Sequence, residues 1–298
     1  MKNNLRKYSG AWTALITPFT SDKKVDEQAL RNLIRLQKKG GVKGIVPVGT
    51  TGESPTIHDD EQEKIFKICV EEANGEIMVM AGTGSNSTEH AVKNTMVAKA
   101  CGVDACLVVC PYYNKPTQEG LRQHFLEIAK VGIPIIVYNI KGRTGINMET
   151  STLMELAKNK MIVGVKEASG DLTQIADVIN KRPEDFTVLS GDDGITCEVI
   201  KLGGDGVISV ASNIIPAKIS EMVSLGLEEK HEEASQINNT LADLFKKIFI
   251  ETNPIPIKYL AHKIGLCELS YRLPMVEPEA SSKEILDELL VNYKLIGT

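Results

Sequence analysis

Short apolar runs alternate with longer stretches of helical periodicity through most of the chain. Strand-like runs fall at residues 11–19, 44–49, 77–82, 105–111, 134–139, 161–166, 187–191 and 206–210. Several are unbroken rows of β-formers, such as Cys106-Leu107-Val108-Val109-Cys110 and Ile135-Ile136-Val137-Tyr138. A strand with one wet face alternates apolar and polar positions. An unbroken apolar run signals cover on both faces, as in an all-parallel sheet.

The segments between these runs carry helix-start signals. Asp59-Asp60-Glu61, Ser87-Thr88-Glu89-His90, Thr117-Gln118-Glu119-Gly120 and Ser169-Gly170-Asp171-Leu172 each offer a side-chain oxygen to the free amides of a first turn. The count predicts eight strand–helix units over residues 1–225, the repeat of a (β/α)8 TIM barrel. An open doubly wound sheet would usually place a Gly-x-Gly-x-x-Gly turn after an early strand, and the chain has none. After residue 225 the strand signal stops. Residues 228–249, 254–264 and 281–293 read as helices, so 226–298 is expected to be a helical extension packed on the barrel.

Composition narrows the function classes. Of the 298 residues, 42% are apolar and 24% charged, with a formal net charge of −5 and no basic stretch able to track a phosphate backbone. Nucleic acid is therefore not expected as a partner. No run approaches the roughly 18 apolar residues of a membrane span, and no apolar core follows the charged N-terminus as in a leader, so a cytoplasmic protein is expected. The six cysteines (69, 101, 106, 110, 197 and 267) lie mostly in apolar segments, without Cys-x-x-Cys or zinc-ligand spacing, and read as reduced, buried thiols. His58 and His90 fall near helix starts, where solvated or capping roles suffice. The sequons at Asn86 and Asn238 carry no meaning inside a cell.

A barrel keeps its chemistry in the loops that follow the strands. The second ends in Gly49-Thr50-Thr51-Gly52-Glu53, where two hydroxyls between glycines suit a small anion, or simply a capped turn. The fourth ends in Pro111-Tyr112-Tyr113-Asn114. Adjacent tyrosines face opposite ways, so at most one enters its own barrel, and an aromatic plug at a subunit contact is the alternative. The fifth ends in Tyr138-Asn139 and continues through Lys141-Gly142-Arg143-Thr144-Gly145, an Arg-bearing loop able to clamp a carboxylate. The sixth, Met161-Ile162-Val163-Gly164-Val165-Lys166-Glu167, is an apolar strand ending in lysine. If Lys166 points into the barrel mouth, desolvation lowers its pKa and yields a neutral amine able to attack a ketone; otherwise it snorkels out of the rim. Gly203–Gly206 precedes strand eight and reads as a tight turn at the other end. Asp192 and Asp193 lack a third nearby carboxylate, so no metal is expected.

In order and spacing, Gly49–Glu53, Pro111–Asn114, Tyr138-Asn139, Gly164–Glu167, Ser190-Gly191-Asp192, Gly203–Ser209 and Asn253–Lys258 together resemble the dihydrodipicolinate synthase / N-acetylneuraminate lyase family over essentially the whole chain. The resemblance implies an aldolase without a separate cofactor, in which Lys166 forms an imine with pyruvate. Thr50, Tyr138 and Tyr113 would relay protons, Tyr113 reaching in from a neighbouring subunit of a homotetramer built from two tight dimers. Thr51 would hold the pyruvate carboxylate, while Gly191 and Ile208 line the pocket through their backbones. Arg143, with Thr50 and Thr51, resembles the synthases, which implies L-aspartate-4-semialdehyde as second substrate and 4-hydroxy-tetrahydrodipicolinate as product, on the route to lysine and diaminopimelate. The rival activity is release of pyruvate from a sugar acid, with N-acetylneuraminate or 2-keto-3-deoxygluconate. A barrel that has lost catalysis would be expected to have lost Lys166 or a hydroxyl of the relay. Where family members carry a proline after Tyr138-Asn139-Ile140, this chain has Lys141-Gly142, which frees φ at Lys141. Ser54, Asn86 and Tyr112 match the family's allosteric lysine site. His90 stands where inhibited members resemble Glu, and Asp59 and Gln62 replace histidines. The resemblance thus implies weak or absent inhibition by lysine.

Overall fold

A computed structural model describes residues 6–295. Residues 1–5, part of the N-terminal stretch considered for a leader, and 296–298 lie outside the described residues. Eight strands close into a barrel in sequence order: β1 (Gly10–Ala14), β2 (Gly44–Val46), β3 (Met78–Gly82), β4 (Ala105–Val109), β5 (Ile135–Asn139), β6 (Ile162–Glu167), β7 (Thr187–Ser190) and β8 (Gly206–Ser209). Every pairing is parallel, and β8 returns to β1 with Gly10, Ala11, Trp12 and Thr13 opposite Gly206, Val207, Ile208 and Ser209. The expected TIM barrel is therefore present. β5 is buried at every position and β4 at all but its last, as cover on both faces requires.

The outer layer consists of α1 (Glu27–Lys39), α2 (Asp59–Ala73), α3 (Thr88–Ala100), α4 (Gln118–Ala129), α6 (Thr150–Leu156), α7 (Leu172–Lys181), α8 (Thr196–Lys201) and α9 (Pro216–Leu227), while α5 (Lys141–Thr144) is a short turn in the loop after β5. Caps start these helices where the sequence offers them. Ser87 accepts from the His90 amide, Thr117 from the Gly120 amide, and Asp171 from the amides of Thr173 and Gln174. At α2 the Glu61 carboxylate accepts from the His58 amide, so His58 begins the helix through its backbone.

Two strands end well before the apolar pattern does. The Leu15 amide makes the last bond to β2, at Val46 O, and the Ile16 amide then donates to Asn213 Oδ1, while Leu15, Ile16 and Phe19 remain buried. β2 stops at Val46 because Pro47 has no N–H to donate and Val48 turns to a φ of 55°. Apolar residues in a buried loop are indistinguishable from a strand by pattern alone.

The C-terminal stretch forms α10 (His231–Lys247), α11 (Ile255–Lys263) and α12 (Ala280–Asn292). α10 starts three residues later than its periodicity predicts, behind a turn in which Glu229 takes a φ of 64°. Leu241, Leu244, Phe245, Ile257 and Leu260 join the same apolar core as the barrel residues.

The end of the barrel opposite the loops is tied by Asp205. It takes an ion pair from Arg6 at 2.8 Å and another from Arg182, and its Oδ2 accepts from the Val188 amide at 2.7 Å. Gly203–Gly206 is the tight turn entering β8 at this end, the amides of Gly203 and Gly204 returning to α8 and that of Asp205 to Val188 O. Gly206 has a φ of 138°, and a β-carbon there would lie 2.0 Å from the Gly10 carbonyl oxygen. Neither backbone can yield without opening the seam that closes the barrel. Gly206→Ala is expected to lower unfolding free energy by about 3 kcal/mol or more, read as a shifted urea midpoint; a shift under a third of that would mean the seam is compliant.

Candidate active site

Period two along a strand decides which side chains enter the barrel mouth. At the carboxyl ends of β5 and β6, Tyr138 lies opposite Lys166 and Asn139 opposite Glu167 in the register. Tyr138 and Lys166 line a cavity above the barrel. Asn139 and Glu167 turn the other way, where Asn139 Nδ2 donates to Glu167 and to Asn147 Oδ1 and its Oδ1 accepts from the Met148 amide. The Glu167 Oε1 also accepts from the Ser169 amide at 2.8 Å, and burial pushes this carboxyl up.

Lys166 is 5% exposed, and its Nζ lies 4.3 Å from the centre of the Tyr138 ring. It has no ion-pair or hydrogen-bond partner among the described residues. Burial pulls its pKa down to about 8, with Asp193 opposing the shift and Arg143 adding to it. It points inward rather than snorkelling over the rim. Burial pushes the Tyr138 phenol upward, and Arg143 pulls it partly back. Gly191 completes the wall, because a β-carbon there would meet Lys166 Cε at 3.1 Å and Ala168 Cβ at 2.5 Å. The absent side chain leaves room for the lysine.

Hydroxyls and a guanidinium face the same space. Thr50, Thr51, Ser54, Arg143, Phe249 and Asn253 line it with Tyr138, Lys166 and Gly191. Thr51 is buried, and its Oγ1 accepts from Asn253 Nδ2 at 2.9 Å. Arg143 Nη2 donates to the Asn253 carbonyl at 3.1 Å. The loop carrying Arg143 is not open: residues 141–144 form one helical turn, closed by Gly145 at a φ of 75° and by Thr144 Oγ1 bonding to Ile140 O and Ile146 O. Freedom at Lys141, expected from the missing proline, is taken up by that turn.

Tyr113, Ile208, Tyr112 and Asn86 are not in the lining of this cavity. Tyr113 is 90% exposed, at a φ of 73°, and does not line its own chain's cavity. Ile208 is buried in β8, where the wall of the cavity is Val210 two residues on. Of the proposed lysine site, Ser54 lines this same cavity, Tyr112 is partly exposed, and Asn86 is tied through its carbonyl to Asn114 Nδ2. Asp59 is committed to an ion pair with Lys93 at 2.6 Å.

The profile of the Dihydrodipicolinate synthetase family matches residues 7–292. The chain belongs to this family. It is 50% identical over 291 residues to a 4-hydroxy-tetrahydrodipicolinate synthase of Endomicrobium trichonymphae, covering 97% of this chain and 99% of that one. The dihydrodipicolinate synthase of Aquifex aeolicus superposes with a TM-score of 0.95 at 44% identity, over 97% and 99% of the two chains. The chloride-inhibited enzyme of Acinetobacter baumannii, solved with pyruvate, gives a TM-score of 0.95 at 39% identity over 97% and 99%. Membership makes the chain an enzyme of the lyase class. No helix among the described residues is long and apolar enough to cross a membrane.

Sequence reasoning missed three parts of this family member's site. Asp193, weighed only as half of a metal-ready pair, is buried, accepts from the amides of Val210 and Ala211, and faces Lys166 electrostatically. No group of three or more His, Cys, Asp or Glu among the described residues could hold a metal. Asn253 and Lys258 fall in a motif noted without a role. Lys258 is fully buried, pairs with Glu53 Oε1 at 2.5 Å and stacks over the Phe19 ring at 4.1 Å. Glu53 itself takes a φ of 56° in the loop that presents Thr50 and Thr51, and its Oε2 accepts from the Arg272 amide. The ion pair thus fastens that loop to the C-terminal extension. Lys258→Met would leave a buried carboxylate alone and is expected to cost ~3–5 kcal/mol, seen in denaturant unfolding. Adding Glu53→Gln should recover part of it; no recovery would show that the charge was not the cause.

Proposed function

We propose that the chain condenses pyruvate with L-aspartate-4-semialdehyde through an imine on Lys166, giving 4-hydroxy-tetrahydrodipicolinate. The observation that carries this reading is a buried lysine without a counter-ion, pulled to about 8, beside a tyrosine and an arginine in a small polar cavity. A neutral amine attacks the ketone carbon, the carbonyl oxygen leaves as water, and a cationic imine remains. That cation withdraws electrons, so a methyl proton is lost and an enamine forms without metal or added cofactor. The enamine carbon attacks the aldehyde, whose oxygen becomes a hydroxyl. The semialdehyde's own amine then displaces Lys166 at the imine carbon and closes the ring.

In this reading Thr50 and Tyr138 relay protons, Thr51 holds the pyruvate carboxylate, and Arg143 binds the carboxylate of the semialdehyde. Gly191 and Ile208 contribute through the backbone. Tyr113, outside its own cavity, completes the relay of a neighbouring copy within a dimer of a homotetramer. The product places the protein in lysine and diaminopimelate biosynthesis, in the cytoplasm. Ser54, Asn86 and Tyr112 would form the lysine site, weakened by His90.

The test is a coupled assay with pyruvate and L-aspartate-4-semialdehyde, together with borohydride trapping of the pyruvate imine. Trapping should vanish in Lys166→Ala, and turnover should fall by at least ~10²-fold in Arg143→Ala with a raised KM for the aldehyde. Because the free amine is the nucleophile, the trapping rate should climb about tenfold per pH unit below 8 and level off above it; a rise continuing to pH 10 would mean an ordinary lysine. An equal adduct on Lys166→Ala would identify the wrong lysine. Trapping of pyruvate without turnover would move the second substrate to a sugar acid. Millimolar lysine should leave the rate nearly unchanged, and tight inhibition in a steady-state assay would refute the weakened allosteric site.

A further inference from the structure

Asn253 stands between the two groups assigned to carboxylates. It is 5% exposed, comes from the C-terminal extension, and meets Thr51 through its side chain and Arg143 through its main chain. Its Nδ2 donates to Thr51 Oγ1 at 2.9 Å, while its Oδ1 has no partner among the described residues. A buried amide that served packing alone would satisfy both ends, since a bare oxygen carries a desolvation cost. This one directs its only side-chain bond at a hydroxyl in the cavity wall.

A threonine hydroxyl has one proton to give and lone pairs to receive with. An amide N–H can only donate, so its bond to Oγ1 occupies a lone pair and leaves the hydroxyl proton free. The Thr51 hydroxyl donates to no acceptor among the described residues, and Thr51 lines the cavity. A carboxylate can only accept. The pair therefore forms a one-way chain, amide to hydroxyl to carboxylate, in which each bond polarises the next.

We infer that Asn253 is a positioning residue that sets Thr51 as an obligate donor to the pyruvate carboxylate, so that it governs pyruvate affinity without touching the reacting carbon. This rests on the assignment of pyruvate to the cavity made above. Arg143 is held by the Asn253 carbonyl, so side-chain substitutions leave that bond in place. Asn253→Asp keeps the shape and reverses the polarity: a carboxylate at 253 takes the Thr51 proton and leaves oxygen lone pairs facing the ligand.

The experiment measures the concentration of ketone giving half-maximal borohydride trapping on Lys166, for pyruvate and for its neutral methyl ester. Asn253→Asp should raise it about tenfold or more for pyruvate and less than about twofold for methyl pyruvate. Asn253→Ala, which frees the hydroxyl without reversing it, should raise it about threefold for pyruvate alone. In a Thr51→Val background the effect of Asn253→Asp should shrink to about twofold, because the route through the hydroxyl is gone. Equal shifts for both ketones would reduce Asn253 to packing. An undiminished effect in Thr51→Val would make it direct charge repulsion, and an unchanged pyruvate value in Asn253→Asp would mean residue 253 already holds the Thr51 proton. Each of these overturns the inference. Failure of the unsubstituted protein to trap pyruvate would instead overturn the functional reading beneath it.

Discussion

An ammonium ion cannot enter an apolar barrel without gaining a partner or becoming easier to deprotonate. The chain buries two lysines at the top of the barrel and gives only one of them a carboxylate within bonding distance. Lys258 meets Glu53 at 2.5 Å, with both side chains almost wholly out of solvent. Lys166 meets an aromatic ring and no carboxylate within bonding distance, and burial takes it down to about 8. The first lysine fastens Glu53 and its loop to the C-terminal extension, and the second is the one proposed to form the imine. Asp193 keeps Lys166 from falling further, while its Oδ2 accepts from the amides of Val210 and Ala211.

The two ends of the barrel divide the work accordingly. At the amino ends of the strands, Asp205 gathers Arg6, Arg182 and the Val188 amide, and Gly206 lets β8 close against β1. Those contacts stabilise and have no part in the cavity. At the carboxyl ends the loops soon run past the last backbone bonds to neighbouring strands, and side chains position the rest. Glu53 fastens loop two to Lys258, Thr144 closes the turn of loop five, and Asn253 ties both loops together. The C-terminal extension is therefore a working part of the site. It shares the barrel's apolar core, and through Asn253 and Phe249 it also supplies part of the cavity wall.

Family membership gives this arrangement its chemical meaning. A barrel alone supports many reactions, since function lies in the loops. Relatives named 4-hydroxy-tetrahydrodipicolinate synthase match nearly the full chain. The buried lysine, the hydroxyls and the arginine that share the cavity are the groups that the proposed condensation would use.

The strands were legible because burial on both faces leaves unbroken apolar rows, as in β4 and β5, and the helix starts because Ser87 and Thr117 cap locally. Lys166 was legible too, since a lysine after Val165 on a buried strand has few destinations. The ends of β1 and β2 were not, because Leu15, Ile16 and Val48 are as apolar in a buried loop as in a strand. Nor was the closed turn around Arg143, which depends on where one hydroxyl finds its acceptors. Above all, sequence order hid the pairings of Glu53 with Lys258 and of Thr51 with Asn253, about two hundred residues apart. Local chemistry determines which residues can form strands, caps and a buried amine. Which of two buried lysines receives a carboxylate is decided only when folding brings the extension back over the barrel.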